Sequence, residues 1–159
     1  MGEEIELIKA LAIECFPKLS EDINFEISSP QDGRYNCIAW AYCLYKDKWM
    51  QHDTTPHLDG VIPWWPKGAP KNSNIDSYID AFKMKGYTIC NSPEFEIGYI
   101  KIALYIDILT NDCTHASRQK TNGTWMSKLG QWHDIIHSNP STLEGEAYGK
   151  VYCIMKIEF

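Results

Sequence analysis

Apolar positions recur with two different spacings along this chain, helical in the first half and alternating in the second. Over residues 3–16, Ile5, Ile8, Ala12 and Cys15, with Leu7, Leu11 and Phe16 beside them, form a stripe at the helical period that Pro17 ends. Phe25 and Ile27 alternate with polar neighbours, so 24–28 reads as a short strand before the breaker SSPQDG. Residues 37–46 are mostly apolar and predict a central helix. The segment 47–73, which contains DTTPHLDGVIPWWPKGAPKNS, follows neither period and predicts a long loop. A connection of that length in a small domain is functional or tightly wrapped. A second amphipathic helix follows with Ser73 as N-cap: Ile75, Tyr78, Ile79 and Phe82 fall at i, i+3, i+4 and i+7, and Gly86 closes it.

Past residue 98 the period becomes two. YIKIALYID and CTHASRQK predict strands, and TWMSKL follows across Asn122-Gly123, a strong hairpin signal. A two-residue turn there sets His115 opposite Gly130, Ser117 opposite Lys128 and Gln119 opposite Met126, all on one side of the sheet. HDIIHSNP reads as a short helical turn or loop, and KVYCIMKIEF as a last strand. Helices first and antiparallel strands afterwards predict an α+β domain, with N-terminal helices packed on an antiparallel sheet. All of 1–159 reads as one domain, in which 1–29 supplies a helix and a strand and 30–155 carries the motifs.

Composition narrows the classes. The chain has 159 residues, 44% of them hydrophobic, and a net charge of −6, enough for one buried core without staples. The acidic balance and the lack of a basic cluster argue against a nucleic-acid partner and against an anionic membrane surface. The first residues, MGEEIELIKALAIECF, have acids where a secretory signal needs bases, so a cytoplasmic protein, or one delivered by a signal-free route, is expected. Six cysteines, at 15, 37, 43, 90, 113 and 153, include no C-x-x-C pair. Free thiols in a reducing compartment are expected, and no zinc ribbon.

The candidate chemistry centres on Cys37, in GRYNCIAWAYCLY. A helix N-terminus favours thiolate over thiol, and a nucleophilic cysteine also needs a histidine, usually distant in sequence, to handle its proton. Of the five histidines only His115 falls within a predicted strand. To orient its imidazole, Asp134 is the first choice and His137 the second; Asn122, at the hairpin tip roughly 20 Å along the strand, is too far. The other cysteines read as core. His133 and His137, at i and i+4, have a metal reading that Cys37, His115 or Asp134 would complete, but Ser-Asn-Pro cuts the helix short and the chain is read as needing no metal or other cofactor. Trp64, Trp65, Tyr99, Arg118 and Lys128 are the candidate substrate contacts.

A resemblance adds to this. Gln31 stands six residues before Cys37, Cys37 is followed by IAWA, and His115 is followed by alanine in THAS. In this skeleton the chain resembles papain-like cysteine peptidases and the related NlpC-type amidases. The resemblance implies Cys37 as nucleophile, His115 as general base and acid, and an oxyanion hole from the Cys37 backbone N–H and the Gln31 side chain. The glycine-serine lead into papain's cysteine is missing. The set YNCIAWA, WWP, GYIKIALY, THASRQ, GTWMSKLG, DIIH and YGKVY also resembles an uncharacterised bacterial domain family over about residues 30–155. The expected function is thus a papain-like cysteine hydrolase or acyltransferase acting on an amide or thioester in a peptide or small molecule. The alternative is a non-catalytic binding protein that sequesters a protein or small ligand on the same scaffold.

Overall fold

The computed structural model describes residues 2–29, 34–42, 49–57, 60–129 and 132–159. Helix α1 (Gly2–Cys15) matches its apolar stripe and gives way at Pro17 to a 3-10 turn, Pro17–Glu21. Strand β1 (Glu26–Ser29) and helix α2 (Cys37–Ala41) follow, with Tyr42 as the C-cap of α2; residues 43–46 of the expected helix, Cys43 among them, lie outside the described residues. The long loop carries a small parallel pair, β2 (Trp49–Met50) and β3 (Pro63–Trp64). In α3 (Ile75–Lys85) the N-cap is Asn74, whose side chain accepts from the Asp76 N–H at 2.9 Å, while Ser73 donates to Asp112. Gly86 ends α3 in the left-handed region, at φ 112°, which glycine enters without strain.

Six more strands complete the chain: β4 (Thr88–Cys90), β5 (Tyr99–Ile106), β6 (Cys113–Gln119), β7 (Trp125–Lys128), β8 (Asp134–His137) and β9 (Lys150–Glu158), with a 3-10 turn, Pro140–Leu143, before the last. Seven strands form one antiparallel sheet in the order β1-β8-β7-β6-β5-β9-β4. This is an α+β fold. One face of the sheet packs Ile102, Leu104, Ala116 and Met155 against α2 and α3; the other packs Ala103, Tyr105, Trp125 and Ile135 against Ala12, Phe16, Leu19 and Leu143.

Two local expectations change. HDIIH is a strand, with Asp134 paired to Lys128 and Ile135 to both Ser127 and Ile27. Four residues sandwiched between two strands gain both ladders of hydrogen bonds, which outweighs the helical reading of a short apolar run. The β6–β7 hairpin is also one residue longer at its tip. Lys120 N–H donates to Thr124 O at 2.7 Å, Gly123 sits at φ 89°, and Arg118 pairs with Met126 and Gln119 with Trp125. This is a three-residue loop with glycine in the left-handed position. A one-residue slip moves every side chain of β7 to the other face. Ser127 and Trp125 therefore share the His115 face, whereas Met126 and Lys128 lie on the α2 face. The expected pairing of His115 with Gly130 lies outside the described residues.

Candidate functional site

Asn36 fixes the start of α2. Its side-chain oxygen accepts from Ala39 N–H and from Met50 N–H, both at 3.0 Å, and its amide donates to Met50 O at 2.8 Å. One buried side chain thus caps the helix and ties it to the long loop. Cys37, 8% exposed, is the first helical residue. Burial pushes its thiol up to about 11, against the opposing pull of the N–H groups of Ala116, Ile38 and Cys37 and of the Lys128 charge. At neutral pH the sulfur is a thiol, held against the backbone of β6 at Ala116.

His115 is the residue before Ala116. Strand alternation points it away from α2, into the second core, where it pairs with Tyr105 across the ladder. Its ring stacks on Tyr148, with centroids 4.0 Å apart and planes 5° from parallel, and lies 5.1 Å from Tyr105. Nε2 is 3.0 Å from Ser127 Oγ, which is 2.9 Å from His137 Nε2, and His137 Nδ1 is 2.9 Å from Asn139 O. All three side chains are fully buried. Burial lowers His115 well below the ordinary imidazole value, aided by His137, and brings His137 to about 4. Both rings are neutral at pH 7.

Neutrality fixes the protons along this chain. The Asn139 carbonyl only accepts, so His137 Nδ1 carries the hydrogen and His137 Nε2 is an acceptor. Ser127 gives its single hydrogen to that nitrogen, and its oxygen accepts from His115 Nε2–H. His115 Nδ1 is then the bare nitrogen, and among the described residues it has no hydrogen-bond partner. Cys37 and His115 share no hydrogen bond. They are joined through β6, sulfur at Ala116 and imidazole on the preceding residue, and a Cys37 charge would raise the phenols of both Tyr105 and Tyr148.

The remaining candidates are dispersed. Gln31 lies outside the described residues. Asp134 is on the α2 face, accepts from Tyr35 Oη at 3.2 Å and does not meet His115. Lys128, fully buried, donates to Trp132 O at 2.6 Å and stands 5.1 Å over the Tyr35 ring. Trp65 is core: it packs on Tyr78 at 4.7 Å and donates to the Ala69 and Pro70 carbonyls. Trp64 packs on Tyr42 at 5.7 Å. Tyr99 and Arg118 both border a groove of about 490 Å³ that Trp40 of α2 also lines, but strand alternation places their side chains on opposite faces of the sheet. Among the other thiols, Cys15 is exposed rather than core. Sequence reasoning passed over Ser127 and Tyr148. Ser127 was hidden by the assumed turn length, and Tyr148 by its place in a loop with no periodicity.

A second cavity, of about 630 Å³, is bounded by Thr114, Tyr148, the 144–150 segment and Asp107–Leu109. Tyr148 is therefore both the lid over His115 and the wall of this cavity. His133 Nδ1 lies 3.1 Å from Ser29 O and His137 serves Ser127, so the two histidines do not converge. Among the described residues no three His, Cys, Asp or Glu side chains are grouped to hold a metal, and no helix is long and apolar enough to cross a membrane.

The fold and site thus define an α+β domain with a cysteine at the first position of a helix on one side of a strand and a tethered histidine on the other. The chain belongs to the family described as a domain of unknown function, DUF7689, whose model matches residues 26–156. No curated protein and no solved structure matches it.

Proposed function

We propose that this protein is a cysteine hydrolase or acyltransferase of papain-like, NlpC-type arrangement, acting on an amide or thioester. The observation that carries the reading is the single bare ring nitrogen of His115. Ser127, backed by His137 and Asn139, occupies Nε2, and Nδ1 is held unprotonated beside the residue against which the Cys37 sulfur rests. A fixed tautomer with one vacant base position is what proton abstraction from a thiol requires.

In the proposed reaction, which requires β6 to shift at Ala116 so that the two sides of the strand communicate, the Cys37 sulfur attacks the carbonyl carbon as its proton passes to His115 Nδ1. The S–C bond forms, the amine or thiol leaves with that proton, and water or a second nucleophile then releases the acyl group. The Cys37 backbone N–H, with Gln31, would receive the carbonyl oxygen. The Ser127–His137 pair takes the orienting role first expected of Asp134. Because Cys37 rests as a thiol and not as half of an ion pair, attack and proton transfer are concerted. The buried resting thiol also favours the rival reading, a binding protein on the same scaffold.

One experiment separates them. A Cys15→Ser protein, freed of the exposed thiol, is incubated with p-nitrophenyl acetate and with an acetyl thioester, and adducts are mapped by peptide mass spectrometry. The hydrolase reading expects an acetyl group on Cys37 that Cys37→Ala abolishes and that forms at least 100-fold more slowly in His115→Gln. Acetylation absent from Cys37, or unchanged in His115→Gln with the fold intact by circular dichroism, leaves the binding protein.

A further inference from the structure

We propose that the outward face of helix α1 is a docking surface for a basic amphipathic helix of a partner protein. This inference is independent of the chemistry assigned to Cys37. Helix α1 ends at Cys15, before residue 26 where the match to the family model begins, so it is an addition to the shared domain. Its inner side is fully engaged. Ala12 is buried, Ile13 packs on the second core, and Lys9 stands 5.9 Å over the Phe25 ring.

The outer side is bare. Leu7 and Leu11 are 61% and 44% exposed, and Ala10 and Glu14 are exposed beside them. Residues 7, 10, 11 and 14 stand at i, i+3, i+4 and i+7, the four corners of the hole in which one helix receives a side chain of another. Glu3, Glu6, Leu7 and Ala10 make the same figure one turn earlier. Both holes share the small Ala10 and the exposed Leu7, so together they form a seat for a second helix.

The acids around that seat identify the occupant. Glu3, Glu6 and Glu14 border it, and among the described residues none of them has an ion-pair partner. Lys9 is turned to Phe25, and Lys18, four residues past Glu14, is engaged by Glu144 at 3.4 Å. Glu14 also stands in the last turn of α1, which holds no base, although the macrodipole favours a cation there. A second copy of this chain fits poorly. Parallel pairing would set Glu14 beside Glu14, and antiparallel pairing with Leu7 on Ala10 would set Glu3 against Glu14. A helix that puts apolar side chains into the holes and lysines or arginines along their rim satisfies both the leucines and the acids.

The test uses a four-turn helical peptide with leucine along its seam and lysine on both flanks. One twin carries glutamate for every lysine, and another carries serine for every leucine. Each is titrated into the intact protein by isothermal calorimetry. The expected result is that the lysine-leucine peptide binds at least 10-fold tighter than either twin. It should also slow alkylation of Cys15, the exposed thiol four residues past Leu11. Replacing both leucines, Leu7→Gln with Leu11→Gln, should weaken binding at least 10-fold with the fold intact by circular dichroism. Glu14→Lys should weaken it too, while Glu146→Lys, the same change of charge at an exposed residue far along the chain, should leave it unchanged. Equal binding of the glutamate twin, equal effects of the two lysine variants, an unprotected Cys15 or no binding at all would overturn the inference. So would a parent protein that sediments as a dimer while the double glutamine variant sediments as a monomer, because a second copy would then occupy the face.

Discussion

Ser127 has one hydrogen to donate and two imidazole nitrogens within 3.0 Å, and both are buried with it. Replacing it with alanine leaves His137 Nε2 and His115 Nε2 without their partner in a dry site. Leaving buried groups unmatched costs roughly 1–3 kcal/mol, so Ser127→Ala should lower the urea midpoint while the protein still folds. It also releases the His115 tautomer, because Nε2–H no longer has an acceptor. On the hydrolase reading, acylation of Cys37 should fall by about 10- to 100-fold, within the range that positioned proton transfer contributes. KM should hold steady, and the acid limb of the rate profile should move. A merely structural serine would lower stability and leave that limb unmoved. Asn36 works on the same principle from the opposite face, where three hydrogen bonds from one side chain place the first turn of α2.

Among the elements, the 144–150 segment has the tightest geometry. Gly145 and Gly149 exchange two backbone hydrogen bonds, at 3.0 and 2.8 Å, and Tyr148 O accepts from Thr114 Oγ1 at 2.5 Å. Gly149 has φ 76°, and a β-carbon there would come 1.9 Å from Ile106 O. Gly149→Ala should therefore cost more than about 2 kcal/mol, combining backbone strain with a clash against rigid main chain. Gly98→Ala, at φ 88° with open space around it, meets only the strain and should cost roughly half as much. Thermal denaturation of the two variants compares them. If the Gly149 variant folds, tryptic cleavage near Tyr148 should rise. These elements differ in how far the sequence discloses them. The stripe of α1, the i, i+3, i+4, i+7 face of α3 and the alternation of β5 and β9 are periodic over many residues, and all four form. The two departures concern short pieces. DIIH has too few residues to distinguish its periods, and Asn122-Gly123 marks a turn without stating its length. That single uncertain residue decided whether Ser127 or Lys128 faces the imidazole, so Cys37 and His115 were legible as candidates and the relay behind His115 was not.

The whole molecule is one sheet with a core on each side, and both buried histidines of the relay lie in the core that α1 and the two 3-10 turns cover. This gives the stability a pH dependence with a definite sign. In the unfolded chain His137 takes a proton near its ordinary value of 6.5; folded, it does so only near 4. Between these values acid favours the unfolded state. Stability should fall as pH drops from 6.5 towards 4, by up to about 1.4 kcal/mol per pH unit for this group. His115, shifted in the same direction by burial, adds to the slope. Above pH 7 neither contributes further change. Urea unfolding at pH 7.0, 5.5 and 4.5 measures the trend, and His137→Gln should flatten it. A slope of the opposite sign would mean that the rings are charged in the folded protein. On the hydrolase reading, the step from His115 to Ala116 has a practical consequence for inhibitor chemistry, because one strand separates the thiol from the imidazole. An electrophile shaped for the helical side would cap the sulfur and leave the imidazoles free to titrate. A wedge driven under Tyr148 would freeze the imidazoles and leave the sulfur open to alkylation. If the hydrolase reading holds, two unrelated scaffolds, each blind to the other's entrance, would therefore silence the same centre.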